Sequence, residues 1–148
     1  MPGFLPDTSV MVAAVCAWHE HHQRAIGEME QRLAGRESLL IAAPALVEAY
    51  AVLTCLPPPH RLSAEHTSAV LGANFLAQGK LIVLEHSDYR ALLHDAAFHG
   101  VVGGRTYDWV IAVCAVKAKA ATLLTFNLRD FVSFPLEEVK LREPGVEP

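Results

Sequence analysis

Short apolar runs alternating with helix-compatible stretches constrain this chain more than any other feature. Phe4-Leu5, "LLIAA" (Leu39 to Ala43), "KLIVLE" (Lys80 to Glu85) and "ATLLTFN" (Ala121 to Asn127) have the length and composition of strands buried on both faces. Between them the spacing predicts helices. One runs from about Ser9 to Ala17, and a polar one from His19 to about Leu33, ended by Gly35. Pro44 opens a third helix to about Cys55, because a proline lacks only a donor that the first helical turn leaves unused. Ser63 caps a fourth to about Leu76. Ser87 caps a fifth, with Tyr89, Leu92, Leu93, Ala96 and Ala97 on one face, and Thr106 caps a sixth to about Lys119. "LPPPH" and "GVVGG" are loops, "EEVKLRE" is a candidate last strand, and residues 143–148 are expected as a frayed tail. The order implies an α/β fold, with helices flanking a mainly parallel sheet of about five strands joined by right-handed crossovers. With no repeat, low-complexity stretch or linker, residues 1–148 read as a single domain.

Composition narrows the class. At 52% hydrophobic and 19% charged the chain can bury one sizeable core, and the excess of apolar side chains suggests a surface kept for a partner. A net charge of −4 argues against a generally basic nucleic-acid binder, though not against positive groups around an acidic site. Cys16, Cys55 and Cys114 read as buried reduced thiols, which points to the cytoplasm. No segment has the length of a membrane span.

Within this apolar sequence three acids stand alone. Asp7 is the only charged residue before Glu20. Glu48 is the only one from Leu39 to Leu56, and Asp108 the only one from Thr106 to Val116. The helix around Glu48 is apolar nearly all round, so burial is expected, and an unpaired buried carboxylate costs several kcal/mol. Basic partners are scarce: no Lys or Arg lies between Met1 and Arg24, or between Arg36 and Arg61. A divalent cation resolves the conflict. Asp7 and Asn127 follow two strands at their carboxyl ends, where open α/β sheets bind ligands, and Asp108 starts a helix near that edge. Asn127 and Asp130 add oxygens, and an all-oxygen set suits Mg²⁺ or Mn²⁺. Taken singly the acids have simpler readings: Asp7 as an Asx turn or helix cap, Asp108 as a dipole-favoured acid, Asp130 as surface.

The segments "PDTSV", "APALVEAYAVL", "GGRTYDWVIAVCA" and "ATLLTFNLRDF" resemble the PIN-domain nucleases, specifically the VapC-type toxins of toxin–antitoxin pairs. The resemblance implies a PIN-like three-layer sandwich and an Mg²⁺- or Mn²⁺-dependent endoribonuclease. It also implies a homodimer held inactive by a small antitoxin protein. The family's acidic quartet falls on Asp7, Glu48, Asp108 and the "NLRD" segment. Asn127 stands where a fourth Asp is common, and Asp130 can supply the charge instead. On this reading Asp7, Asp108 and Asn127 or Asp130 hold metal, and Glu48 is a ligand or a base. Thr8, Ser9 and Thr125 supply orienting hydroxyls. Arg105 and Arg129 are candidates for RNA phosphate contacts, whereas Lys117 and Lys119 suit a solvated helix end.

Two motifs point elsewhere. "WHEHH" suggests zinc but lacks a second ligand cluster, so it reads as a polar surface helix, with Trp18 as a core anchor in preference to a base-stacking platform. An aspartate-nucleophile phosphohydrolase would carry a second Asp where Ser9 stands. A catalytically silent PIN-fold binding module is the remaining alternative.

Overall fold

The computed structural model describes residues 1–147. Among them the chain forms five strands, β1 (Gly3–Pro6), β2 (Ser38–Ala42), β3 (Lys80–Ile82), β4 (Thr122–Leu124) and β5 (Lys140–Arg142). The helices are α1 (Thr8–Val15), α2 (His22–Ala34), α3 (Ala43–Thr54), α4 (Ala64–Leu71), α5 (His86–Phe98), α6 (Arg105–Lys117) and α7 (Leu128–Phe131). A π-helical turn, Gly72–Leu76, extends α4.

The sheet order is β3-β2-β1-β4-β5, and every pairing is parallel. The expected α/β architecture is therefore present, with a sheet that is wholly parallel. β1 lies at its centre, with Phe4 beside Leu39 of β2 and Thr122 of β4. All four β1 residues are buried, as a strand covered on both faces requires. From β1 the chain moves outward to β2 and β3, then returns past the centre to β4 and β5. The reversal falls at the carboxyl end of β1. Gly79, just ahead of β3, has no room for a side chain: a Cβ there would stand 2.6 Å from the Phe75 carbonyl and 2.7 Å from Ile41 Cγ1.

The core gathers Phe4, Met11, Ile41, Leu53, Phe75, Ile111 and Phe131, each essentially inaccessible to water. Several helix faces differ from expectation. α3 is apolar all round but not buried all round: Val47 is 70% exposed, and Tyr50 and Ala51 also meet solvent. α5 buries only Leu92 and Ala96, while Tyr89, Leu93 and Ala97 are exposed. Apolar periodicity marks a face without saying whether the same chain covers it. Caps differ as well. Glu85 caps α5, its N–H donating to Asp88 Oδ2 at 2.7 Å, so Ser87 lies inside the helix. Gly104 precedes α6, and Thr106 sits within its first turn. Lys117 is not merely solvated: its Nζ donates to Asp88 at 2.5 Å and joins α6 to α5.

Trp18 is no core anchor, being 48% exposed. Cys16 and Cys114 are buried, Cys55 is exposed, and all three are free thiols. The stretch expected as a frayed tail is tied down at its start. Arg24 Nη1 pairs with Glu143 at 3.0 Å, Pro144 is buried, and the Gly145 N–H donates to Glu28 Oε1 at 3.1 Å. The last residue of that stretch, Pro148, lies outside the described residues. No helix among the described residues is long and apolar enough to cross a membrane.

Candidate active site

The site forms where β1 ends. Asp7 is the N-cap of α1, its Oδ1 accepting the Val10 N–H at 3.0 Å, and its own N–H donates to the Leu124 carbonyl of β4. The carboxylate is 2% exposed yet has no cation beside it. Hydroxyls take that place. Ser9 Oγ donates to Asp7 Oδ1 at 2.6 Å, and Thr125 Oγ1 donates to Oδ2 at 2.5 Å. Each hydroxyl also accepts a backbone N–H from the β4–α7 turn, Ser9 from Phe126 and Thr125 from Asn127. Asp7 is thus fixed to both sides of the sheet's switch point. The third candidate hydroxyl, Thr8 Oγ1, is buried and has no hydrogen-bond partner among the described residues.

Glu48 on α3 and Asp108 on α6 reach the same cleft, which Asp7, Thr8, Ser9 and Asn127 also line. Both acids are half-buried, and neither has a hydrogen bond or ion pair from a side chain among the described residues. Asp130, on α7, does not line the cleft, but its charge acts on Asp108. Burial, partly offset by its hydrogen bonds, pushes the Asp7 carboxyl up to about 6, and Glu48 adds repulsion. Asp108 is likewise pushed up to about 6, first by burial and then by the charges of Asp7, Asp130 and Glu48, with Arg105 opposing. Four acids from distant parts of the sequence therefore feel one another electrostatically.

The arrangement is an open acidic cleft. Among the described residues no three His, Cys, Asp or Glu side chains already stand together as a metal cage. The donors that face the cleft nevertheless fit a hard divalent cation. Asp7, Glu48, Asp108 and Asn127 present oxygens, Asp7 Oδ2 accepts only one hydrogen bond, and the mutual repulsion is what a cation would relieve.

The two arginines differ. Arg105 Nη2 donates to Ser133 Oγ at 2.7 Å and to the Asp130 carbonyl at 3.4 Å, and its guanidinium lies 4.8 Å from the Phe134 ring centre. It therefore braces α7 while holding positive charge near Asp108. Arg129 is exposed, with no ion pair among the described residues.

Sequence reading missed the rest of the cleft wall. His19, Glu20 and His21 line it, together with Phe126. Trp18 to His21 of "WHEHH" form the turn between α1 and α2, with His22 starting the helix, and the turn lines the cleft that holds the acids. Its signal was a burst of titratable side chains directly after an apolar helix. His21 stacks on Phe126 with ring centres 4.5 Å apart, and Arg24 lies 5.0 Å from the same ring.

Comparison with known proteins gives concordant results. The family model described as "PIN domain" matches residues 4–135. Ribonuclease VapC40 of Mycobacterium tuberculosis is 40% identical over 124 residues, covering 84% of this chain and 86% of that protein. VapBC2 from Rickettsia felis, bound to a DNA fragment from its promoter, matches with a TM-score of 0.68 at 22% identity. That match covers 95% of this chain and 97% of the other. VapC20 of Mycobacterium tuberculosis, described as a sarcin-ricin loop cleaving toxin, matches at 0.67 and 14% identity, over 93% and 99% of the two chains.

Proposed function

Because this chain belongs to the PIN domain family, we propose that it is the endoribonuclease toxin of a toxin–antitoxin pair, dependent on Mg²⁺ or Mn²⁺. The observation that carries this reading is the meeting of Asp7, Glu48 and Asp108, from three separate helices, around one cleft at the carboxyl end of the central strand. Its identity to a VapC ribonuclease over most of both lengths supports the activity. The VapBC complexes among its structural neighbours support an antitoxin as partner.

Asp7, Asp108 and Asn127, which line the cleft, would hold the cation, which when bound acidifies water and neutralises charge on a phosphodiester, while Asp130 adds negative charge from outside it. Ser9 and Thr125 hold Asp7 in one orientation, so its free lone pair points at a fixed place. Among the described residues no side chain bonds to Glu48, which leaves its carboxylate free to accept the proton of the attacking water or to serve as a ligand. Arg105 limits the repulsion at Asp108 without entering the cleft. Arg129 meets phosphate from the rim.

The homodimer has support in the side chains that a monomer leaves wet. Val47, Val83, Tyr89 and Tyr107 line an apolar groove of about 840 Å³ that also reaches Glu48 and Asp108. A dimer through this face would set two acidic clefts near one interface.

Antitoxin-free protein incubated with RNA and Mn²⁺ tests the reading. Cleavage that chelation stops, and that Asp7→Asn or Asp108→Asn abolishes, supports it; cleavage surviving both substitutions refutes the site. A silent binding module is favoured by one observation, the amide of Asn127 in place of an acid, and RNA bound but never cut would establish it.

A further inference from the structure

Trp18 is a large aromatic side chain held at the surface beside the cleft, and nothing in the acid chemistry explains it. Its ring stacks on His60, with centres 4.0 Å apart and planes 22° from parallel. His60 is presented by the "LPPPH" loop, where three prolines limit backbone freedom, the His60 N–H donates to the Pro57 carbonyl, and Arg61 Nε donates to Leu56 O. With His60 stacked on it Trp18 is still 48% exposed, so about half of the side chain meets solvent. His19, tilted 41° against Trp18 at 5.7 Å, carries this aromatic surface into the cleft wall beside Asp7 and Glu48. By contrast, His21 and Arg24 already occupy the Phe126 ring.

We propose that Trp18, backed by His60, is a stacking platform for one unpaired nucleobase of the RNA, next to the scissile phosphate. This rests on the ribonuclease reading. A chain with net charge −4 and an acidic cleft gains little from general attraction to a phosphate backbone. A base offers a neutral π-face that an aromatic ring binds without cations, and only an unstacked base has that face free. The platform is built before RNA arrives, so little ordering entropy opposes binding. It selects single-stranded or looped RNA and fixes the register of the strand over the acids.

The test uses antitoxin-free protein, a single-stranded oligoribonucleotide, and an oligomer of equal length and charge lacking bases. The chain has two tryptophans, and Trp109 is buried with its Nε1 bonded to Leu92 O, so fluorescence that responds to ligand reports Trp18. The oligoribonucleotide is expected to quench it and the abasic oligomer to leave it unchanged. Trp18→Leu should raise KM on the order of tenfold to a hundredfold with kcat within about twofold. Trp18→Phe should recover most of the loss. An unchanged KM in Trp18→Leu, while wild type cuts RNA, overturns the platform and leaves the nuclease standing. Equal quenching by the abasic oligomer, or a response to the antitoxin alone, overturns it too, the latter marking a protein-docking surface. Absence of any RNA binding or cleavage by wild type overturns both readings.

Discussion

Thr125, at the end of β4, donates its hydroxyl to Asp7 Oδ2 at 2.5 Å across 118 positions of sequence. That bond joins the chain's first acid to its last core strand, and the same oxygen accepts the Asn127 N–H. Thr125→Val keeps the shape and removes both functions. Cleavage is expected to fall about tenfold to a hundredfold, as for other groups that orient a metal ligand. Loss of these buried bonds also costs about 1–3 kcal/mol of stability. Steady-state kinetics and denaturant melts read the two effects separately; an unaltered rate would refute the orienting role.

Acidity provides a second check. Asp7 and Asp108 have carboxyls pushed up to about 6 from an ordinary value of 3.8. The folded protein therefore holds their protons more tightly than the unfolded chain. Their contribution is fully present below pH 3.8, and it is lost as pH rises through about 6. Metal-free protein should lose thermal stability over that window through these two groups. Mn²⁺ should restore it at pH 7 and much less at pH 5, where it must displace protons. Scanning calorimetry with and without chelator decides this. A metal effect independent of pH would contradict it.

Glu48 raises both neighbours by its charge. Glu48→Gln should move the Asp7 and Asp108 titrations downward, visible by carboxyl NMR on metal-free protein. Cleavage should drop by roughly two orders of magnitude or more. Lost activity with unmoved titrations would place Glu48 farther from the acids than the cleft requires.

Self-association is testable at the apolar face. Val47→Asp puts a charge on an exposed side chain of α3 and Tyr89→Asp does so on α5, both in the groove, so neither disturbs the core. Sedimentation should show the wild type as a dimer and the double variant as a monomer with unchanged circular dichroism. A monomeric wild type would remove the homodimer.

Gly79→Ala should destabilise the protein by about 1–3 kcal/mol, because the new methyl would meet the Phe75 carbonyl and Ile41 inside van der Waals contact. Chemical denaturation measures it directly. A neutral result would show that β3 can shift.

The sheet was readable because each strand is short, apolar and followed by helix signals. "LLIAA" and "ATLLTFN" gave β2 and β4 within a few residues. Asp7 and Asn127 could be set at one edge from strand direction alone. What stayed hidden depends on contacts between distant segments. Val47 and Leu93 look like core residues in any local window, yet both are left mostly exposed. Ser87 is a sound N-cap by type, but Glu85 and Asp88 cap each other and start the helix sooner. Trp18 has the character of a core residue, and its partner at the surface is His60, on a proline loop more than forty positions on. The place of the histidine turn over the acids follows from how sharply α1 ends at Cys16, a backbone angle that sequence does not state.

The central position of β1 has a consequence for biosynthesis. Asp7 is made 118 positions before Thr125, so its second oxygen waits for that hydroxyl and its backbone N–H for Leu124. A nascent chain emerging from the ribosome therefore carries no assembled cleft until β4 has been translated. A chain stopped short of β4 leaves Asp7 without either partner, so assembly of the acids is tied to the folding of a strand made long after them.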